Sequence, residues 1–422
     1  MNIALVGNDG RTNALKWHFK EYGHSVVTFS NPSLAPIVRS APYDLIILVH
    51  VEDSANGLQH ALSDIFGSKK VFACSKEAAR FETDKVYGAG VARKYGLAAP
   101  RTVVVELNDP EDADSVMEVI KEELAGTQHV IKKAGLACGQ GVKIVRGTDE
   151  LNMYLLKWAR QSGESALVQE YKDGIEISGR VLCQQGKIIP LWMTMEHKRA
   201  CNDDRAAMTA EMGTVVLAGV GAPIMEEIRK LEPWLREVSY TGLLDINFIM
   251  DAESGKLWFV EPTCRWGDPE TEIALPMLDC DFAEIASRAC RGEVLEGDIV
   301  FGHKAAVGVV IAGGGYPYPD CCLQGVPIDL PTDDYPLVFQ MGTEKKGGRL
   351  VTKGGRHLVV VGLATTSINR FLDESRYEIS RAVQDVYAMV RSKYWFLDAW
   401  YRTDIGAKWE KQKPFLVRHG VI

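Results

Sequence analysis

Leu257-Trp258-Phe259-Val260-Glu261-Pro262-Thr263-Cys264-Arg265-Trp266-Gly267-Asp268-Pro269-Glu270 reads as an apolar strand that delivers a carboxylate at its end, then a turn dense in charge and glycine. The first turn of a helix follows, because Glu270 precedes the periodic run Ile273, Leu275, Leu278. Hard divalent cations take oxygen ligands at fixed points, so Glu261 backed by Arg265, Asp268 and Glu270 is a way to hold such an ion against polyphosphate. A polar turn capped by a solvated Glu is the competing account. Upstream, Gly242–Met250 reads as a neighbouring strand whose alternation puts Asp245 and Asn247 on one face. Glu261 comes 14 residues after Asn247, on the partner strand, so two adjacent strands aim oxygen ligands at one point.

Composition sets the outer bounds. A chain of 422 residues has room for two to four domains, and 46% hydrophobic with 25% charged residues is ordinary for a globular protein. The net charge of −8 gives no basic footprint for nucleic acid, so an anionic substrate needs locally clustered Lys and Arg. Nine cysteines without the dense spacing of a disulfide scaffold favour reduced thiols and a cytoplasmic location. No window approaches a membrane span, and the start Met1–Gly7 has no basic region before a long apolar run, so neither a membrane partner nor a targeting segment is expected.

From the start, apolar segments at residues 3–7, Ser25–Phe29, Asp44–Val49 and Lys70–Ala73 alternate with helical stretches, which predicts a parallel α/β sheet. The loop Gly7-Asn8-Asp9-Gly10-Arg11 between first strand and first helix is a natural anion seat, because free helix N–H groups point at it. A helix over Glu77–Tyr95 ends at Gly96–Pro100 and leads into the strand Thr102–Glu106. Val130–Lys133 and Val142–Val145 read as a hairpin whose long tip carries Gly135, Gly139 and Gly141. Glycine N–H groups close over phosphates and Lys132 neutralises them, although a surface hairpin with solvated lysines fits the same residues.

Leu167–Glu170 is a strand, followed by a turn at Asp173-Gly174 and another strand. Such a break offers backbone groups to an adenine edge and leaves Glu176 to accept ribose hydroxyls. In Met195-Glu196-His197-Lys198-Arg199, His197 is either a general base or a structural histidine. Helix Ile224–Val238 precedes the central hairpin, and helix Ala283–Cys290 and strand Ala305–Ile311 come after it. Short strands at Val338–Met341, Gly348–Val351 and His357–Val361 and an amphipathic helix from Asn369 to about Ser392 predict a small β-rich tail, with Gly354-Gly355-Arg356 in a turn.

Taken together these blocks resemble the ATP-grasp ligases, and within them the phosphoribosylamine–glycine ligase family. The likeness runs end to end: Gly10-Arg11, Lys132 with Gly135 and Gly139-x-Gly141, Asp173-Gly174 with Glu176, His197-Lys198-Arg199, Arg265 with Gly267-Asp268-Pro269-Glu270, Ala312–Pro317, Gly354-Gly355-Arg356 and Tyr401–Gly406. The resemblance implies an α/β and α+β fold: an N-terminal α/β domain over 1–103, an ATP-grasp domain over 104–325 with a mobile lid near 122–192, and a C-terminal β-rich domain over 326–422. It implies an ATP-dependent carboxylate–amine ligase of purine biosynthesis that forms an amide through an acyl phosphate and releases ADP and phosphate. A ligase of the same ancestry joining another acid to another amine, and an ATP-binding protein without turnover, remain open.

Implied cofactors are ATP with Mg²⁺ or Mn²⁺, and implied partners are small carboxylates and amines, to a monomer or homodimer. By the same resemblance Lys85, Lys132, Gly139, Gly141, Glu170, Tyr171, Lys172 and Glu176 bind nucleotide, and Glu261, Asn247 and Thr263 hold the metal. Arg265, Lys132 and Asp268 serve the chemistry. Gly10, Arg11, His197, Lys198, Met212, Gly213, Arg265, Gly355 and Arg356 face the substrates. Four departures stand out: Thr12-Asn13 where the family has Glu-His, Ala134 for an Asp, Ala210-Glu211 for Gly-Gly, and Thr263 for a metal-binding Asn, with Asn247 or Asp245 placed to compensate.

Overall fold

The computed structural model describes residues 1–106, 113–124, 128–135, 141–162, 165–318, 321–330, 337–364, 379–393 and 396–422. The first sheet is parallel, in the order Ser25–Phe29, Asn2–Val6, Leu45–Leu48, Val71–Phe72. Its central strand is buried on both faces. Ile3 and Leu5 enter the same apolar cluster as Leu15 and Phe19, while Ala4 and Val6 pack with Ile37 and Leu62 on the other side.

A nine-stranded sheet forms the body of the protein. Its main path runs Leu257–Thr263, Gly242–Met250, Ile175–Gln184, Lys187–Glu196, Gly213–Ala218, Ala305–Gly313, Arg356–Leu363 and Leu337–Gln340, with Ala399–Trp400 paired to Ala305–Gly313. Alternation divides it into two layers, because successive side chains leave a strand on opposite faces. Val307, Val309 and Ile311 join one core with Ala78, Phe81 and Trp234, and Ala306 and Val310 join the other with Leu15 and Phe282.

The third sheet is antiparallel, in the order Thr102–Val105, Ala166–Glu170, Gln128–Lys133, Val142–Arg146, with its own core around Ile131, Val145, Leu151 and Val168. This sheet narrows the expected lid on its C-terminal side. Strands Ile175–Gln184 and Lys187–Glu196 belong to the central sheet, so residues 171–174 are where the chain crosses from one sheet to the other. The physical reason is burial: Ile177, Val181 and Cys183 complete the central core and find no counterpart in the smaller one.

Two helix expectations need correction, and the C-terminal β-rich region stands with one refinement in how its strands pair. The helix expected over Glu77–Tyr95 is two, Lys76–Thr83 and Lys85–Lys94, because the Asp84 side chain accepts from Tyr87 N and caps the second. The helix expected over Ile224–Val238 is likewise Ala222–Arg229 and Glu232–Glu237, with Pro233 in the first turn of the latter. The C-terminal strands Leu337–Gln340 and Arg356–Leu363 extend the central sheet, and only Pro327–Ile328, Arg349–Thr352 and Thr343–Lys346 form a small sheet of their own. Of the helix expected from Asn369, Ile379–Lys393 is described and 369–378 lie outside the described residues.

Glycine sets one spacing that the site depends on. A Cβ on Gly308 would collide with Ile273 of the short helix Glu270–Ala274, so the missing side chain lets that helix lie against the sheet. Gly308→Val should therefore destabilise the protein by about 1–3 kcal/mol through overpacking, read as a lower denaturant midpoint at unchanged slope. An unchanged midpoint would show that the helix is not held by this contact.

Candidate active site

A cleft of about 820 Å³ opens where the three sheets meet. Lys132 of the small antiparallel sheet and Glu261 at the edge of the central sheet both line it. Lys132 Nζ donates to Val260 O at 3.0 Å, which aims the ammonium at the strand end that carries Glu261. Burial, then repulsion from Lys85 and Lys198, outweighs the attraction of Glu261 and lowers the Lys132 pKa to about 8. Lys85, at the start of its helix, donates to Gly135 O at 2.6 Å across the same opening.

The register of the central hairpin places Asn247 opposite Glu261 and Asp245 opposite Thr263. Asn247, Glu261 and Thr263 thereby reach one wall of the cleft, an all-oxygen donor set suited to a hard cation. Lys198 stands among these groups. Its Nζ lies 2.8 Å from Glu196, 3.4 Å from Glu176 and 3.6 Å from Glu261, and with the amide turned to satisfy both neighbours Asn247 accepts from it at 2.9 Å and donates to Glu196 at 3.1 Å. Against the cost of burial, Glu196, Glu176 and Glu261 push the Lys198 pKa well up. Glu261, although desolvated, is held below its ordinary value by Lys198, Lys132 and Lys85.

Behind this row lies a group of acids that sequence reasoning did not assemble. Glu196, Asp245 and Glu270, all buried, bring carboxylate oxygens within 4.8 Å of one another. Burial first, then repulsion from Glu270, Glu176 and Asp245, overcomes Lys198 and raises Glu196 to about 8. Arg180 meets Asp245 at 3.1 Å and donates to Arg265 O at 2.8 Å, so a buried ion pair braces the turn after Glu261. An arginine inside the apolar strand Ile175–Gln184 was the one available signal. Glu211 is buried on the same wall, where desolvation and the charges of Glu270 and Glu196 raise its pKa strongly.

The substrate-facing residues divide into those at the cleft and those behind it. Arg11 lines the cleft, donates to Trp266 O at 2.8 Å and pairs with Asp9. Arg265 is held by Glu82 at 2.9 Å, and the other oxygen of Glu82 accepts from Cys264 N at 2.6 Å. Arg356 clamps Asp268 at 2.9 Å and donates to Ala210 O at 2.6 Å. Gly10 and Gly213 serve close packing instead, since a Cβ would strike Glu272 at the first and Gly308 O at the second. Met212 is fully buried, and Gly355 turns the chain at φ +77 with its carbonyl bonded to Gly313 N at 2.9 Å.

His197 is a correction. Its ring is buried away from the cleft lining and finds no hydrogen-bond partner among the described residues. Desolvation, then the charges of Lys408 and Arg402, lowers its pKa to about 3, which is no value for a general base at neutral pH. Among the nucleotide residues, Gly141 lines the cleft, Glu170 pairs with Lys172 at 2.6 Å, and Glu176 reaches Lys198. Tyr171 and Lys172 lie outside the cleft lining, with Lys172 Nζ 4.2 Å from the Trp258 ring centroid. Gly139 lies outside the described residues.

Three sheets around one cleft, with lysines on one side and carboxylates on the other, define an ATP-grasp ligase. The models of the phosphoribosylglycinamide synthetase ATP-grasp (A) domain and C domain match residues 83–271 and 306–408. The chain belongs to the phosphoribosylglycinamide synthetase family. It is 27% identical to phosphoribosylamine–glycine ligase of Halalkalibacterium halodurans, over 97% of each chain. It is also 27% identical to the bifunctional purine biosynthetic protein PUR2,5 of Pichia angusta, of which it spans 54%. The crystal structure of phosphoribosylamine–glycine ligase from Thermotoga maritima superposes with a TM-score of 0.78 at 25% identity, covering 96% of this chain and 100% of that one. No helix among the described residues is long and apolar enough to cross a membrane.

The lowered pKa of Lys132 gives the cleft a pH dependence. Above about 8 the ammonium loses its charge, and Glu196, raised to about 8, gains a negative one in the same window. Affinity for MgADP should fall as pH rises from neutrality through that range, approaching about tenfold per unit for each linked proton. Lys132→Arg should remove the share of the fall that Lys132 contributes and leave the share from Glu196. A slope unchanged in that variant would place the titrating group elsewhere.

Proposed function

We propose that this ligase joins glycine to phosphoribosylamine at the expense of ATP, as its relatives are named for doing. One observation carries the reading: Lys132 from the small sheet and Glu261 from the central hairpin converge on a single cleft, with Lys85 and Lys198 beside them. In this reading Lys85 and Lys132 lie along the phosphates, the backbone near Glu170 meets the adenine edge and Glu176 the ribose. Glu261, Asn247 and Thr263 would hold Mg²⁺, or Mn²⁺ with the same oxygen donors. The cation would neutralise charge on the polyphosphate.

The chemistry is positioning and charge, since phosphoryl transfer leaves little covalent work for the protein. A donor carboxylate oxygen bonds to the γ-phosphorus as the bond to the β-phosphate oxygen breaks, and ADP leaves. The amine then bonds to the acyl carbon, the carbon–oxygen bond to phosphate breaks, and the nitrogen gives up a proton. Arg265, fixed by Glu82, presents its guanidinium group to the anionic acyl phosphate, and Arg356 holds Asp268 in place beside it. Lys132 and Lys198 offset the charge that accumulates on the transferring group.

Purified protein with ATP, Mg²⁺, glycine and phosphoribosylamine should release ADP and phosphate, with both substrates required. Release only for another acid and amine would leave a ligase of the family with a different substrate pair. Lys132→Ala and Glu261→Ala should each lower kcat by about 10²-fold or more, the scale on which a single electrostatic contact to the transition state acts. Full activity in either would remove the assignment of the nucleotide site.

A further inference from the structure

Several carboxylates of the cleft have no part in that scheme, Glu211 and Glu270 among them. Glu211 sits between the ribbon ending at Met208 and the strand Gly213–Ala218, with its backbone at φ +96, a conformation that side chains other than glycine rarely take. It is 3% exposed, it lines the cleft, and its Oε1 has no hydrogen-bond partner among the described residues. Glu270 beside it is 7% exposed, lines the cleft as well, and leaves Oε2 unpartnered in the same way.

The nearby cations are already engaged. Lys198 holds Glu196 at 2.8 Å and Arg180 holds Asp245 at 3.1 Å, while Arg356 spends its guanidinium on Asp268 and Ala210 O. Five carboxylates, Glu196, Glu211, Asp245, Asp268 and Glu270, thus face three cations, Lys198, Arg180 and Arg356, each of which is paired with an acid other than Glu211 or Glu270. Buried acceptors without a donor are costly, so the unpaired oxygens of Glu211 and Glu270 call for a positive group supplied from the cleft. Glu196 and Asp245 each already hold a cation, Lys198 and Arg180, and those two positive charges repel a divalent ion more strongly than a single one. An ammonium needs only acceptors for its three N–H donors.

We propose that Glu211, with Glu270, holds the ammonium group of an amino-acid acyl donor, and so recognises the donor by its positive end. The inference rests on the ligase reading for the identity of that donor. An ammonium kept between carboxylates stays protonated and has no lone pair with which to attack an acyl phosphate. The donor therefore cannot acylate a second donor molecule, and the free amine of the acceptor is the group that forms the amide.

Calorimetric titration of the full chain in the presence of MgADP tests this, with glycine as probe and glycolate, its hydroxyl counterpart, as control. Glu211→Gln and Glu211→Gly, the second compatible with the left-handed backbone, should weaken glycine binding about tenfold or more and leave glycolate within about twofold, as expected for loss of a charge-assisted contact. Unchanged glycine affinity, equal weakening of both ligands, or no glycine binding by the unaltered chain would each overturn the proposal. So would an effect confined to the Mg²⁺ dependence of ADP binding, which would make the pair a metal site. ADP release measured in parallel separates the two ideas. Release for any acid and amine pair upholds the ligase reading even if glycine binding ignores Glu211, whereas selective loss of glycine binding without any release upholds the ammonium site alone.

Discussion

The Lys198 ammonium joins four neighbouring strands of the central sheet at one place. Glu261, Asn247, Glu176 and Glu196 come from successive strands in the sheet order, and all four reach it. In water such contacts are worth little, but removed from solvent they become strong and each lost partner becomes expensive. The charge row therefore aligns the strand ends as well as tuning them. It holds Glu261 ionised and leaves Glu196 close to neutrality, so one row contains both an ionised carboxylate and one poised to take or lose a proton.

Around that row the fold separates support from chemistry. Gly308 lets the helix beginning at Glu270 rest on the sheet, and the buried pair Arg180–Asp245 braces the carbonyl of Arg265. Glu82, from a helix far away in the chain, orients the Arg265 side chain. None of these contacts is local. Each depends on tertiary packing that sets Glu82 and Glu270 on their helices and Arg265 in its turn against the strands that carry Arg180 and Asp245.

Much of the fold was legible because its signals are short-ranged. The alternation of Gly242–Met250 was enough to put Asn247 and Glu261 on adjacent strands, whereas their direct pairing depends on an irregularity between Asn247 and Phe248 that shifts the register by one residue. The parallel first sheet and the lysine at the end of Gln128–Lys133 follow from similar local patterns. The misreadings have equally physical causes. A continuous helical pattern over Glu77–Tyr95 hides the Asp84 cap. His197 stands beside Lys198 in a polar tetrad, yet alternation turns its ring away from the cleft.

By itself, then, the amino-acid order determined most of the strands and the residue types set at strand ends, because propensity, period and turn chemistry act over a few residues. Through its resemblance to the ATP-grasp ligases it marked Lys132 and Glu261 as two sides of one nucleotide site. Only the tertiary structure decided that Lys198 lies among four carboxyl and amide groups, and that Glu211 and Glu270 are buried without a cation of their own. Burial and charge pairing depend on everything that surrounds a group, and sequence distance carries no record of that surrounding.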